Sequence, residues 1–345
     1  MPLPPSIASR LALPLIAAPM LKVSGPDLVI AACRSGAIGA FPTANARSEE
    51  ALDDWLGRTM DALRGVDAGG RAAAPCCPNL IMHRSPQALA RDIACLVRHR
   101  VEMVITSVGS PQPVVAPLHA AGCLVFADVA TVHHARNAVQ AGADGLVLLS
   151  AGAGGQTGWL NGLAFVRAVR RFYAGPLVLA GGVSDGAALW AARALGCDLA
   201  YMGTRFIATD ESMAAPGYKQ MLVQSQADDV QLTRAFTGLP ANMLRPSIVA
   251  AGLDPQALDE RIGPEQARAL FGAARDTFTD TQQRAGPKRW SDVWSAGHSV
   301  SGVDAIVPVA QLVQDTAREY HQAMASSVAL AAEAASSSLS KETSA

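Results

Sequence analysis

The chain has 345 residues, half of them apolar, and a formal net charge of -1. A near-neutral protein is a poor partner for nucleic acid or an anionic membrane, because both attract basic surfaces. No run reaches the ~18 uninterrupted apolar residues of a membrane span. The first apolar stretch is broken by prolines and Arg10 and lacks the charged segment that opens a signal peptide. We therefore expect a globular, cytoplasmic protein.

The spacing of the cysteines is also consistent with the reducing environment of the cytoplasm. None of the six stands in a C-x-x-C pair or at a metal-ligand spacing. Most lie in apolar runs, where buried free thiols are common. The sequence predicts reduced cysteines and no metal site.

From residue 12 to about 210 one pattern recurs: a short aliphatic run, then small or polar residues, then a stretch with helical spacing. Eight runs predict strands, at 13–19, 37–41, 78–82, 102–107, 123–128, 145–150, 176–180 and 199–202. Intervening stretches predict helices at 48–64, 86–99, 131–141, 162–172 and 185–195. Capping residues such as Ser48, Thr131 and Asp185 precede these helices, and glycines follow several of them.

Most of the strand-like runs are continuously apolar, which indicates strands buried on both faces of a parallel sheet. Eight strand–helix units in about 200 residues favour a (β/α)8 TIM barrel over an open doubly wound sheet. A Rossmann sheet is disfavoured because no G-x-G-x-x-G follows the first strand. Residues 1–209 therefore predict an α/β barrel.

Beyond Thr209 the rhythm changes. Residues 210–290 predict a helical excursion over the barrel mouth, with helices at 216–226 and 264–277 around the turn-rich FTGLPANMLRPSIVAAGLDP. Residues 291–323 predict a segment that returns to the barrel and carries a final helix at 307–323. The low-complexity residues 324–345 predict a frayed or disordered tail.

Active-site groups of such a barrel lie where its strands end. Gly181 and Gly182 follow the seventh predicted strand, and Gly203 and Thr204 follow the eighth. Glycines leave backbone N–H groups open to an anion, and a helix N-terminus adds its dipole. The pattern favours a phosphate-bearing ligand; the alternative is that these glycines only make tight turns.

The loop SAGAGGQTGWLNG, residues 150–162, contains five glycines. Glycine lets a backbone pass close to a flat ligand, and the amide of Gln156 offers both donors and an acceptor. The loop lacks the Lys-Ser/Thr ending of a P-loop. In the alternative interpretation, Gln156 only ties the loop to neighbouring backbone.

His133 and His134 open the helix after the fifth strand, close to Asp128 at that strand's end. Histidine can act as a general base at neutral pH. Adjacent helical residues point about 100° apart, so we expect only one of the two to face inward; a solvent-facing pair is the alternative. His298 lies in the turn-rich WSAGHSVSG, which could reach back to the barrel mouth.

Other chemistries fit less well. No predicted strand carries the lysine that a Schiff-base aldolase needs. The esterase pattern G-x-S-x-G occurs at 182–186, but Ser184 and Asp185 are better explained as a helix cap. A phosphate grip, a loop for a flat ligand and one candidate base suit a flavin mononucleotide enzyme.

Seven motifs carry a family resemblance: AAPM (17–20), PNLIMH (78–83), VITSVGSP (104–111), TVHHARNAVQAGADG (131–145), AGAGGQTG (151–158), LAGGVSDG (179–186) and YMGTRFIAT (201–209). With these motifs in this order, the chain resembles the nitronate monooxygenase family of FMN-dependent TIM barrels. The likeness resumes in KRWSDVWSAGHSVSGV and PVAQLVQDTAREY.

The resemblance implies that Pro19 and Met20 lie against the flavin ring and that His134, in a V-x-H-A context, deprotonates or orients the substrate. Many relatives, including flavin enoyl reductases, carry histidine where this chain has Gln156. An amide does not titrate near neutrality, so we expect Gln156 to hold the substrate or flavin by hydrogen bonds. The predicted site comprises His134 and Gln156 as catalytic residues, His133 and His298 as substrate-binding residues, and Ala18, Pro19, Met20, Asn79, Ser107, Asp128, Gly155, Gly181, Gly182, Gly203 and Thr204 as FMN-binding residues.

The implied reaction is the oxidation of an alkyl nitronate by O2 to a carbonyl compound and nitrite. The alternatives are an NAD(P)H-dependent flavin reductase acting on a quinone or an enoyl thioester, and a non-catalytic flavin-binding module. A homodimer would suit such a barrel, although no sequence feature requires one.

Overall fold

In the computed structural model, which describes residues 3–65, 70–272 and 287–342, eight parallel strands close into a barrel. These strands are β1 (Leu15–Ala17), β2 (Ile38–Pro42), β3 (Cys76–Ile81), β4 (Met103–Ser107), β5 (Leu124–Val129), β6 (Gly145–Leu149), β8 (Leu177–Ala180) and β9 (Leu199–Met202). Three further strands, β7 (Gly155–Gln156), β10 (Val230–Thr233) and β11 (Ala241–Leu244), form a separate small sheet.

The helices are α1 (Pro5–Ala8), α2 (Pro26–Arg34), α3 (Glu49–Ala62), α4 (Pro86–Arg98), α5 (Gln112–Ala120), α6 (Val132–Gln140), α7 (Gly162–Arg170), α8 (Gly186–Leu195), α9 (Thr204–Ile207), α10 (Pro216–Gln224), α11 (Arg245–Ala250), α12 (Pro264–Phe271) and α13 (Val309–Glu342). Strands follow one another around the barrel in chain order, and β9 closes it by pairing with β1. The predicted TIM barrel is confirmed.

Successive side chains of each barrel strand point alternately into the barrel and towards the helices. On β5, Phe126 belongs to the cluster that fills the interior, whereas Ala127 belongs to the layer under the helices. Both layers are buried, which explains why the strands read as continuous apolar runs. The inward position after Phe126 is Asp128, at the open end of the barrel.

The predicted helix starts are confirmed at atomic detail. Ser48 Oγ accepts a hydrogen bond from the Ala51 N–H (3.2 Å), and Thr131 Oγ1 accepts one from the His134 N–H (3.0 Å). Such caps satisfy N–H groups that have no partner within the helix. Thr131 thereby fixes where α6 begins.

The predicted helical excursion is wrong in one respect: it contains a β-hairpin. Strands β10 and β11 pair antiparallel, and β11 pairs in turn with β7 from the glycine-rich loop. No clear sequence signal marks these strands, because each is short and one partner lies far away along the chain. The last part of the predicted helix 264–277 lies outside the described residues, and α12 ends at Phe271.

The C-terminal helix also differs from the prediction. Instead of ending at residue 323, α13 continues to Glu342, so the described part of the expected disordered tail is helical; residues 343–345 lie outside the described ranges. Alanine, the residue with the highest helix propensity, is frequent here. Beyond residue 323, the Trp190 indole N–H of α8 donates to Ser327 Oγ (2.8 Å). No helix within the described ranges is long and apolar enough to cross a bilayer.

Two glycines of the loop between β6 and α7 are required because residues of the C-terminal segment pack directly against them. A Cβ on Gly154 would lie 2.7 Å from the Gly297 nitrogen, and one on Gly152 would lie 2.7 Å from His298 Nδ1. The His298 N–H also donates to the Gly152 carbonyl (2.9 Å). These glycines let the C-terminal segment cross the barrel mouth in direct contact with the loop. From the sequence alone, the same glycines are explained by close passage of a ligand, so for Gly152 and Gly154 the structure supplies a different reason.

Gly154→Ala should therefore destabilise the protein. The atoms that its Cβ would meet belong to backbone, which cannot rotate away, and overpacking of this kind costs roughly 1–3 kcal/mol. Gly57→Ala is the matched control, because a Cβ there meets only His99 Cε1 at 3.6 Å. Within helix α3 we expect that substitution to raise the free energy of unfolding by ~0.5–1 kcal/mol. Urea unfolding of both variants measures the contrast; equal stabilities would contradict the packing argument.

Candidate active site

A cavity of about 1150 Å³ opens where the barrel strands end. Single ligand pockets usually occupy ~300–1,000 Å³, so this one has room for a cofactor and a substrate together. All the predicted site residues line it except His133 and His298: Ala18, Pro19, Met20, Asn79, Ser107, Asp128, His134, Gly155, Gln156, Gly181, Gly182, Gly203 and Thr204. The carboxyl-end rule therefore predicted residues that the structure brings together at one cavity.

The loop after β1 is held in place by two side chains behind it. Asn45 donates to the carbonyls of Met20 (2.9 Å) and Ser24 (2.8 Å). Ser24 Oγ in turn donates to the Ala18 carbonyl (3.1 Å) and accepts from the Met20 N–H (3.0 Å). Met20 and Pro19 are thus presented to the cavity on a fixed backbone.

Asn79 and Ser107 form a polar pair at the ends of β3 and β4. The Asn79 amide nitrogen contacts Ser107 Oγ at 3.1 Å, and Ser107 Oγ contacts the amide oxygen at 3.2 Å. The amide nitrogen also donates to the Ile105 carbonyl (3.2 Å). These contacts fix the orientation in which both side chains border the cavity.

The glycines after β8 and β9 form a cradle at the other side of the cavity. Gly181 and Gly182 have φ angles of 113° and 79°, a region that favours glycine. A Cβ on Gly182 would meet no atom within 4 Å, so its backbone borders open space. Nearby, Thr204 Oγ1 accepts from the Gly297 N–H (3.0 Å), which ties the cradle to the C-terminal segment.

The first turn of α8 does not supply the expected dipole to this cradle. Asp185 accepts from the Ala188 N–H (2.7 Å), and Glu319 of α13 accepts from the Gly186 N–H (2.9 Å). Two carboxylates thus already occupy that helix terminus, where an anion would otherwise bind. The helix cap predicted at Asp185 is confirmed. An anion in the cavity would have to rely on the loop amides.

Only one of the paired histidines reaches the cavity. Both histidines are exposed, but His134 lines the cavity, whereas His133 lies outside it with its ring nitrogen 3.1 Å from the Asn137 amide, one turn along α6. His298 is exposed and packs against Gly152, outside the residues that line the cavity. Of these three histidines, only His134 therefore lines the cavity.

Gln156 lies within strand β7, opposite Ala241 of β11. It is half-buried and lines the cavity. Its backbone is held by the small sheet, and the next residue, Thr157, is fixed by a hydrogen bond from its N–H to the Pro240 carbonyl (3.1 Å). The amide therefore reaches the cavity from a rigid wall.

Sequence reasoning missed several cavity residues. Tyr201 could have been found by alternation, because it lies two positions before Gly203 on the same inward face. Arg268, Arg289 and Trp290 come from the excursion, residues 210–290. Their arrival at the cavity depends on tertiary folding, for which local sequence gives no signal.

Asp128 and Tyr201 have an unusual electrostatic environment. Among the described residues, neither Asp128 Oδ1 nor the Tyr201 hydroxyl has a hydrogen-bond partner, although both atoms are buried. Burial raises the pKa of the Asp128 carboxyl from 3.8 to about 8. Burial, with Asp128 and Cys77 nearby, also holds the pKa of Tyr201 well above its usual value. Unpaired buried polar atoms that face a cavity suggest that a ligand completes them.

Comparison with known proteins settles the family. The family model described as nitronate monooxygenase matches residues 6–319. The chain belongs to the nitronate monooxygenase family. A nitronate monooxygenase of Paraburkholderia phytofirmans is 27% identical over 350 aligned positions, which cover 90% of this chain and 93% of that protein.

Two solved structures share the architecture. FabK from Thermotoga maritima superposes with a TM-score of 0.76 at 26% identity, covering 93% of this chain and 97% of that one. A nitroalkane oxidase from Streptomyces ansochromogenes gives 0.72 at 25% identity, covering 93% and 99%. The chain is therefore a flavin-dependent oxidoreductase of this family, and the comparisons support oxidation of nitronates in general.

Asp128→Asn should stabilise the ligand-free protein in a pH-dependent way. The folded protein binds the Asp128 proton more tightly than the unfolded chain does, so its free energy of unfolding falls as pH rises from about 4 to about 8. The variant lacks this loss, so its advantage over the wild type should grow by up to ~1.4 kcal/mol for each pH unit between about 4 and about 8. Urea unfolding at pH 5, 6.5 and 8 measures the difference.

The exposed Asp304 supplies the control, because Asp304→Asn makes the same chemical change outside the cavity. It should follow the wild type at every pH. A gap between Asp128→Asn and wild type that stays constant from pH 5 to pH 8 would show that this carboxyl is ionised in the folded protein.

Proposed function

We propose that this protein binds FMN in the barrel cavity and oxidises small alkyl nitronates with O2, giving a carbonyl compound and nitrite. The observation that carries the proposal is that His134, Gln156 and the glycine cradle at Gly182 and Gly203 line one cavity. That set combines a proton acceptor, a donor for nitro oxygens and a place for a phosphate.

The residues present suit FMN. The open space beside Gly182 and the loop at Gly203–Thr204 would take the phosphate through backbone N–H groups. Asn79 and Ser107 would bind polar atoms of the ribityl chain or the ring. Met20 and Pro19, held by Asn45, would provide an apolar surface for the ring. When bound, FMN supplies the electron transfer between the nitronate and O2.

His134 would orient the nitronate or remove the proton from the carbon that bears the nitro group. Its backbone is fixed by the Thr131 cap, and its side chain lies on the cavity wall. Gln156 would donate its amide N–H groups to the nitro oxygens without exchanging a proton. Trp290 and the apolar part of the wall would limit the access of water.

The direct test is an absorbance spectrum of the purified protein, followed by anaerobic addition of propyl-2-nitronate. We expect a flavin spectrum that bleaches with nitronate and nitrite once air is admitted. A flavin that ignores nitronate but is bleached by NADH or NADPH would favour the reductase alternative. A flavin that neither reagent reduces would favour a binding module. Absence of flavin after incubation with FMN would refute the cofactor proposal.

His134→Ala tests the proposed base. If the imidazole acts on the substrate proton, turnover of a neutral nitroalkane should fall by roughly 10²-fold or more. Turnover of the preformed nitronate should fall less, because that proton has already been lost. Steady-state nitrite formation with both substrates separates proton removal from orientation.

His133→Ala is the matched control: it removes the same side chain from the next residue, which lies outside the cavity. It should retain near wild-type turnover and bound flavin. If His134→Ala keeps a normal rate with the nitroalkane, the assignment of the base is wrong.

A further inference from the structure

The floor of the cavity holds two polar groups for which the proposed function has no role. Among the described residues, four side chains carry a buried nitrogen or oxygen without a hydrogen-bond partner: Thr59, Asp128, Tyr201 and Arg205. Two of these, Asp128 and Tyr201, line the cavity. An unsatisfied buried polar group costs about 1–3 kcal/mol, so two of them together on a cavity floor indicate ligand atoms that satisfy both.

Strand alternation explains why they share a floor. Phe126 precedes Asp128 by two positions on β5, and Leu199 precedes Tyr201 by two on β9; both belong to the cluster that fills the barrel interior. Asp128 is therefore the next inward side chain of β5 and Tyr201 that of β9; Tyr201 packs within the interior cluster, and both residues border the cavity. A ligand resting on the barrel has to meet them.

The charge around Asp128 decides what it can offer. Tyr201 on β9 and Cys77 on β3 interact electrostatically with Asp128, and both are neutral at pH 7. His83 and His134 also line the cavity, but neither contributes to the pKa of Asp128. Neighbouring strands β4 and β6 contribute Ser107 and Leu149 to this part of the wall, neither of which is charged. The cavity arginines, Arg268 and Arg289, belong to the excursion, and neither contributes to the pKa of Asp128. An ionised Asp128 would have no compensating cation on the floor.

We propose that Asp128 is a neutral carboxylic acid when flavin is bound, and that it and the Tyr201 hydroxyl donate hydrogen bonds from the barrel floor to electron-rich acceptor atoms of the flavin ring. This inference rests on the proposed flavin site and adds a protonation state to it. A carboxylate has only acceptor atoms, whereas a carboxylic acid can donate. The pKa of about 8 produced by burial agrees with a protonated group at neutral pH.

Flavin binding should then depend on pH. If FMN binds only when Asp128 is protonated, the Kd for FMN is constant at lower pH. It rises above about pH 8, approaching a tenfold increase per pH unit. Asp128→Asn keeps a donor of similar shape and cannot ionise. Its Kd should match the low-pH value of the wild type and lack the additional rise.

The measurement is quenching of FMN fluorescence by protein stripped of cofactor, from pH 6.5 to pH 9.5. Ionisation of FMN itself affects both proteins equally and cancels in the ratio of their Kd values. Asp304→Asn, on the exposed surface, should reproduce the wild-type profile. Tyr201→Phe should weaken binding by roughly 2–10-fold at every pH, the loss of one hydrogen bond, and should keep the rise above pH 8.

A wild-type Kd that stays level to pH 9.5 would overturn the inference, and so would an Asp128→Asn profile with the wild-type slope. The wild-type profile alone decides the matter if the variant does not fold. Infrared spectra of the wild-type complex offer a second readout: the C=O band of a protonated carboxyl should be present at pH 7 and diminish by pH 9.5.

These outcomes separate the inference from the proposed reaction. A pH-dependent Kd in a protein that leaves nitronate unchanged supports the role of Asp128 and refutes nitronate oxidation. Nitronate oxidation with pH-independent FMN binding does the reverse. Failure to bind FMN at any pH refutes both.

Discussion

Closure of the barrel is the constraint on which the rest of the structure depends. A closed parallel sheet covered by helices buries both faces of each strand, so its interior has to be filled by apolar side chains. The interior is closely packed around Phe126, because a Cβ on Gly145 would lie 2.2 Å from the Phe126 ring. Polar groups are tolerated only in the last inward layer, at the strand ends. That layer is the floor of the cavity.

The sequence predicts the barrel well because its strands and helices are determined by short, local residue patterns. Each strand is a short apolar run, and helices such as α6 begin at caps that contact residues only three positions away. The small sheet had no such signal. Strand β7 is two residues long, and its pairing with β11 depends on an excursion that folds back over the mouth. Short strands with distant partners are set by tertiary packing and not by propensity.

The candidate site likewise contains a part that local sequence predicts and a part that depends on tertiary folding. The carboxyl-end rule predicted most of the residues that line the cavity, but showing that His134 lines it and His133 does not required the rotation of α6. The glycine-rich loop shows a different kind of failure. From the sequence alone, the glycines of this loop are explained by close approach of a ligand, whereas Gly152 and Gly154 are required by contact with residues 296–298. A sequence reveals that a residue must be small, and only the structure identifies the neighbour that requires it.

Asp128 and the arginines place opposite demands on the same cavity. FMN and a nitronate are both anionic, and cations at Arg268 and Arg289 lie on the elements that cover the mouth. A cation on the floor would hold an anionic ligand equally well before and during reaction, which strengthens binding without lowering the barrier. Neutral donors add no net charge, and their hydrogen bonds strengthen where negative charge develops, particularly in a site shielded from water. In the proposed complex, a protonated Asp128 beneath the ligand and cations near the mouth would thus separate attraction of the substrate from stabilisation of the charge that moves during its oxidation.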